Sequence, residues 1–231
     1  MFEFKTEDLE KARKIVSVLD LPKQFGCDDG GFDTYFIESQ IEDVVDGDFF
    51  VTNGITKLVI EVEALPFVIK IPFNGQCEYM WIDENHCDDG TWHSFYHAGG
   101  ASKWEYCEAE FEYTAAIQNE GYGMFVPDMM YLCNVSGYSV YVQEKVLPRC
   151  ENRHVYGATD ASMEKAKDCE NYFDLEWSAR AIDIYGVDTF VEFCEWADNK
   201  FPLMMEDMHT GNYGYRYNGD PVLLDLSGFS D

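Results

Sequence analysis

The sequence predicts an α+β chain of two lobes. Three observations carry the prediction. Residues 49–73 (FFVTNGITKLVIEVEALPFVIKIPF) are rich in β-branched and aromatic side chains, with breaks at Asn53-Gly54 and Ala64-Leu65-Pro66. That pattern reads as three short antiparallel strands. The last 80 or so residues carry helical periodicity. A small hairpin pattern then closes the chain. Strands with a few helices first, helices with a hairpin later, is the segregation expected of an α+β chain. The first lobe spans 1–146, with an N-terminal extension and an insertion at 74–103. The second is a reduced helical lobe over 147–231. The hinge falls near Val146–Arg149.

Composition bounds the function. The 231 residues include 16 basic and 44 acidic side chains, a net charge of −28. Apolar residues make up 46% and aromatics 16%, enough for a sizeable core and against wholesale disorder. Such a charge repels phosphate at long range, so nonspecific binding to nucleic acid or to an anionic membrane is excluded. No run approaches the ~18 apolar residues of a membrane helix. The N-terminal MFEFKTEDLEKARK is charged from the start, unlike a signal peptide. Eight cysteines, at 27, 77, 87, 107, 133, 150, 169 and 194, contain no CxxC pair. They read as reduced thiols of a cytoplasmic protein.

The elements follow in order. Residues 6–20 form a helix, with Thr6 as candidate N-cap and Glu7 and Asp8 at the positive end of the dipole. Leu9, Ala12, Ile15, Val16 and Leu19 make its apolar face, and Pro22 stops it. Residues 26–32 (GCDDGGF) read as a turn. After the three strands, the polar stretch 74–103 reads as an insertion or long loop. Residues 104–118 lack Gly and Pro and read as helix. Residues 129–147 read as a hairpin turning near Gly137 and ending in a buried strand. Residues 187–200 place Phe190, Val191, Phe193, Cys194 and Ala197 on one helical face. Tyr213, Tyr215 and Tyr217 alternate as hairpin residues do.

Three pieces carry chemistry. Lys70 lies mid-strand in Phe67-Val68-Ile69-Lys70, where an ammonium is costly unless it meets an anion. The alternative is an edge-strand lysine with its head in water. The helix 104–118 offers Glu105, Glu108, Glu110 and Glu112. The C-terminal loop and hairpin offer Asp207, His209, Asn212 and Asp225. Asp225 follows the apolar Val222-Leu223-Leu224.

With these residues in hand, the chain resembles the protein-kinase-like superfamily, in its aminoglycoside-phosphotransferase-type and atypical branches. Compact members of this kind occur in bacteriophage and bacterial genomes. Asp207-Met208-His209-Thr210-Gly211-Asn212 looks like the D-x-H-x-x-N catalytic loop. Asp225 in DLSG, 13 residues after Asn212, looks like the metal-binding aspartate of the D-F-G element. Val68-Ile69-Lys70 looks like the strand lysine of V-A-I-K. Glu110 is the favoured partner of Lys70, with Glu108 and Glu112 as alternatives. Residues 141–146 resemble the strand that runs into the hinge, where Glu144 and Val146 would meet adenine through the backbone. Gly54, 16 residues before Lys70, corresponds to the phosphate-covering loop. The resemblance implies a kinase-like two-lobe fold, with an antiparallel sheet plus helix in the first lobe. It implies ATP and Mg²⁺ as cofactors. Lys70 would hold phosphates, Asn212 and Asp225 the metal, and Asp207 would take the acceptor's proton.

The sequence departs from the family pattern in three places. The covering segment Thr52–Thr56 has one glycine, and Met205-Glu206 replaces His-Arg before Asp207. The sequence ends at Asp231, six residues after Asp225, so the pattern covers the nucleotide half and not the acceptor half. Two other readings stand beside an enzyme acting on an unknown hydroxyl, protein or small molecule. One is a pseudokinase-like nucleotide-binding module. The other is an acidic decoy for a basic partner protein, suggested by the charge alone. His86, Cys87, His93, His97 and Cys77 offer donor types that bind Zn²⁺. A polar insertion is the preferred reading of that stretch.

Overall fold

The computed structural model describes residues 2–21, 34–53, 57–72, 78–81, 93–96, 105–148, 156–169, 173–201, 208 and 210–226. Among these, six α-helices accompany a five-stranded antiparallel sheet and two smaller sheets. The chain is α+β, as the segregation of its patterns predicts. It divides into two compact units. One is drawn from residues 3–108 and 130–143. The other is drawn from 109–129 and 144 onward, and includes Phe2.

The first unit is built on the sheet. Strands β1 (Phe49–Asn53), β2 (Lys57–Val62) and β3 (Phe67–Pro72) are the three short strands read from residues 49–73. Strands β4 (Glu78–Trp81) and β5 (His93–Tyr96) pair as a separate two-stranded sheet. The stretch 74–103, read as an insertion or long loop, therefore contains a hairpin. Strands β6 (Met129–Val135) and β7 (Tyr138–Glu144) complete the main sheet, in the order β1-β2-β3-β7-β6. The β6–β7 turn is at Ser136 and Gly137, both at positive φ (53° and 89°). That is the primed geometry whose twist suits a two-residue hairpin. The Asn134 side chain accepts from the Gly137 N–H at 3.1 Å.

Helix α1 (Thr6–Ser17) buries Leu9, Ala12, Ile15 and Val16, the face read from the sequence. Its N-cap is Lys5, with no side-chain cap bond, and Thr6 is already helical. The Lys5 carbonyl takes the N–H groups of Asp8 and Leu9, so the helix begins one residue earlier than predicted. Helix α2 (Thr34–Ile41) buries Ile37 and Ile41 and was not read from the sequence. The predicted turn at 26–32 lies outside the described residues.

The second unit is an aromatic core wrapped by helices. It holds α4 (Asp160–Asp168), α5 (Leu175–Tyr185) and α6 (Val187–Lys200). Helix α3 (Glu105–Asn119) contributes Ile117 to its core. Phe125 stacks on Phe193 at 4.2 Å and meets Tyr185 edge-on at 4.9 Å. Trp177 is fully buried, and its indole N–H donates to the Val222 carbonyl at 3.2 Å. On α6, Phe190, Phe193 and Ala197 are the buried positions, while Val191 and Cys194 are half-buried. Burial pushes the Cys194 thiol up to about 12, with the Cys169 thiol nearby adding to it. The reactive thiolate is then scarce at pH 8. Iodoacetamide at that pH should leave the Cys194 peptide unmodified in folded protein and alkylate it after unfolding, as read by peptide mass spectrometry.

Helix α4 starts at a polar cluster. Thr159 caps it by accepting from the Ser162 N–H. Asp183 accepts from Ser162 Oγ at 2.6 Å, Thr159 Oγ1 at 2.9 Å and Thr159 N at 3.2 Å. The Ser162 hydroxyl, then the Thr159 donors, hold the Asp183 carboxyl below its usual range. A depressed folded pKa contributes stability above the unfolded carboxylate range and loses it as pH falls through the folded value. Asp183→Asn should therefore lower stability slightly at pH 7 and not at pH 2. Urea unfolding at both pH values checks this.

Candidate functional site

Each unit carries part of the predicted constellation. In the sheet unit, Lys70 lies in β3, the middle strand of five, opposite Val59 of β2. It is 6% exposed, so it is neither an edge residue nor a solvated one. The neighbour of β3 on its other side is β7. The lysine-bearing strand thus lies beside the strand that runs into residues 144–146. Gly54 lies outside the described residues.

The burial pattern of α3 separates its glutamates. Cys107, Glu110, Thr114 and Ile117 are its buried positions, at a spacing that makes one helical face. Glu110 is 0% exposed, whereas Glu108 and Glu112 are exposed. A carboxylate inside a protein requires charge or hydrogen-bond compensation. A solvated glutamate does not, so among the three Glu110 alone has the environment of an ion-pair partner.

The C-terminal pieces come together on a small sheet. Strands β9 (Tyr213–Tyr215) and β10 (Pro221–Leu223) form the predicted hairpin, with Leu223 opposite Tyr213. The pairing continues one step further, because the Leu224 N–H donates to the Asn212 carbonyl at 2.7 Å. Asn212 is therefore paired with Leu224 at the open end of the hairpin stem, and Asp225 is the next residue in the chain. Asn212 is 2% exposed and ends a 3-10 turn, Thr210–Asn212. Asp225 is half-buried and has φ of 52°. A non-glycine residue in the left-handed region is strained, and strain of this kind gathers at functional sites. An amide oxygen and a carboxylate are hard donors, a set that fits Mg²⁺ with nucleotide or water oxygens filling the remaining positions. Tyr213 and Tyr215 are buried in the core and Tyr217 is exposed, which is hairpin packing.

The same sheet holds Leu147 and Pro148, at the end of the segment that the sequence reading took as a hinge. Strand β8 (Leu147–Pro148) pairs with β9, Leu147 opposite Tyr215, in the order β10-β9-β8. Gly214 makes this approach possible. A Cβ there would lie 3.2 Å from the Leu147 carbonyl oxygen and 3.0 Å from Leu224 Cδ1.

An arginine that the sequence reading passed over locks the arrangement. Arg216 Nε donates to both Glu144 carboxylate oxygens, at 3.0 and 3.2 Å. Its Nη1 and Nη2 donate to the carbonyls of Met124 and Val126, at 2.8 and 2.6 Å. Glu144 also accepts from the Asp128 N–H at 3.1 Å and donates its own N–H to the Asp128 carbonyl at 2.8 Å. The Asp128 carboxylate in turn takes the Phe2 N–H and the Gln118 side-chain amide. The Glu144 carboxylate is therefore held by Arg216 and by the Asp128 N–H, a structural role. Val146 is half-buried.

Asp207 and His209 lie outside the described residues, as do Cys77, His86, Cys87 and His97. His93 sits in β5, a strand. Among the described residues no group of three or more His, Cys, Asp or Glu side chains could hold a metal, and no helix is long and apolar enough to cross a membrane. Neither the protein-family models nor the curated protein sequences contain a match to the chain.

Proposed function

We propose that the chain is a kinase-like phosphotransferase that binds ATP with Mg²⁺ and transfers the γ-phosphoryl group to a hydroxyl acceptor, protein or small molecule. The observation that carries this reading is the β8-β9-β10 sheet. It places Asn212 and a strained Asp225 at one end of a hairpin whose flank is the end of the hinge segment. From Arg216, the position opposite Val146, to Asn212 the chain advances four residues across β9, roughly 13 Å when extended. That span suits a nucleotide lying with its base at the hinge and its phosphates at the hairpin end.

The roles follow. The carbonyl of Glu144 and the N–H of Val146 meet the adenine edge. Lys70 holds the phosphates, with Glu110 as its partner carboxylate, and Gly54 marks the covering loop. Asn212 and Asp225 hold Mg²⁺, which when bound neutralises charge on the phosphate oxygens. Asp207 accepts the proton of the acceptor hydroxyl. The acceptor oxygen then bonds to the γ-phosphorus as the bridging P–O bond breaks toward ADP. Positioning and charge stabilisation supply the rate, so burial of Lys70 and Glu110 is the expected environment.

The test uses purified protein, radiolabelled ATP and Mg²⁺. Label transfer or ADP formation that is lost in Asp207→Ala supports the reading. Turnover that survives this substitution unchanged overturns it, and so does the absence of any nucleotide-induced thermal shift. The single glycine of Thr52–Thr56 favours a second reading, a nucleotide-binding module without turnover. Stabilisation by ATP and Mg²⁺ with no ADP formed selects that reading instead.

A further inference from the structure

We propose that the outer edge of strand β1 is a docking strand for an extended, basic segment of a partner protein, which joins the sheet by antiparallel pairing. The inference stands on the sheet unit alone and is independent of the phosphotransfer reading.

Strand β1 ends the order β1-β2-β3-β7-β6, so one of its sides has no strand beside it among the described residues. The register fixes which backbone groups face that side. The Glu63 N–H donates to the Asp48 carbonyl at 2.8 Å, one step beyond the Phe49–Val62 pair. Bonded and non-bonded pairs alternate along an antiparallel ladder. Phe50 and Thr52 therefore bond to Glu61 and Val59 of β2, while the N–H and C=O groups of Phe49, Val51 and Asn53 point outward. Among the described residues no backbone hydrogen bond reaches these outward groups.

Natural sheets blunt an open edge with Lys, Pro or a bulge. The sequence FFVTN has neither Lys nor Pro, and its pairing with β2 is regular from Phe49 to Asn53. Phe50 is 57% exposed, an apolar surface beside the open backbone. A peptide strand gains main-chain bonds along such an edge, and its alternate side chains supply the specificity.

The occupant follows from charge. Glu42, Asp43, Asp46 and Asp48 are exposed and lead into β1, and the exposed Glu63 meets Asp48. None of these carboxylates forms an ion pair among the described residues. Residues 24–56 contain no Lys or Arg. A second copy of the chain would bring the same acidic approach and a further −28 charge, so repulsion rejects it. The same groups attract a strand that carries Lys or Arg. Antiparallel pairing sets the order within that strand. A β-branched residue comes first, opposite Phe50, and the basic residues follow at the C-terminal end, beside Asp48 and Asp46.

The experiment titrates the full chain with a blocked peptide of alternating Val and Thr that ends in Lys-Arg-Lys. The comparison peptides carry Lys-Arg-Lys at the start instead, or end in Glu-Asp-Glu. Binding is read by calorimetry and by residue-resolved amide hydrogen exchange. The first peptide should bind, slow exchange at Phe49 and Val51, and leave Phe50 and Thr52 unchanged, since these already bond to β2. The comparison peptides should bind at least ~10-fold more weakly. Phe50→Ser and the paired Asp46→Asn, Asp48→Asn variant lie at exposed positions, so the fold should be kept. Each should weaken binding about 5- to 10-fold. Failure of the first peptide to bind overturns the proposal, and so does binding that both variants leave unchanged. Protection on β6, the opposite edge, in place of β1 also overturns it. Protection of Phe49 and Val51 in the peptide-free chain, with a dimer in sedimentation, gives the edge to a second copy and overturns the basic partner.

Discussion

Asp225→Asn is expected to abolish magnesium-dependent stabilisation by ATP while leaving the fold intact. Asparagine is nearly isosteric with aspartate and tolerates the left-handed region, so the φ of 52° imposes no new strain. The substitution removes only the charge of one hard oxygen donor. If ATP and Mg²⁺ at 100 times Kd stabilise the parent by about 2.7 kcal/mol, the variant should keep a small fraction of that shift. Any phosphoryl transfer should fall at least ~100-fold, as when one charge-stabilising group is deleted from a preorganised site. Asp225→Gly sharpens the contrast. Glycine relieves the positive-φ strain but adds unfolded-chain entropy of similar size, about 1 kcal/mol, so this variant should melt close to the parent and still fail to respond to Mg²⁺. A chain in which Asp225→Asn retains the full magnesium response has its metal elsewhere, and the site assignment fails.

The residues behind this prediction differ in how far the sequence discloses them. Asp225 stands out locally, since three apolar residues precede it and the hairpin is brief. Strands β1 to β3 are legible because their β-branched runs are cut by turn residues close to where the chain reverses. Helix α2 is not legible, because eight residues with Ile37 and Ile41 as the buried pair are too few to establish a period. The glutamates of α3 are indistinguishable in sequence. Glu110 is singled out only by burial, and its face mixes Cys107 and Thr114 with Ile117, a weak apolar contrast. The burial of Lys57, 4% exposed, gives no signal in the sequence, since a lysine near a strand end usually extends its stem and keeps its head in water. Arg216 and Glu144 are 72 residues apart, and no local pattern connects them.

That long-range pair yields the largest expected loss of stability. Arg216→Ala should destabilise the protein by about 3 kcal/mol and lower its melting temperature by roughly 10 °C. The side chains are 19% and 11% exposed, so this is not a surface ion pair of negligible worth. Truncation leaves the Glu144 carboxylate mostly out of water, and it strips a donor from the Met124 carbonyl and another from that of Val126. The stranded charge is the larger cost, because an unsatisfied buried ion loses far more than the net value of the pair. A double-mutant cycle isolates it. Glu144→Gln in the Arg216→Ala background should recover more than half of the loss, since a neutral amide tolerates the site. Arg216→Lys should recover little, because an ammonium cannot span a carboxylate and two carbonyls as the planar fork does. Chemical denaturation of the four proteins measures the coupling. If Arg216→Ala falls within about 0.5 kcal/mol of the parent, the range of ordinary surface substitutions, the clamp does not hold residues 144–148. The packing of β8 on β9 would then have to fix residues 144–148 alone, through the close approach that Gly214 permits.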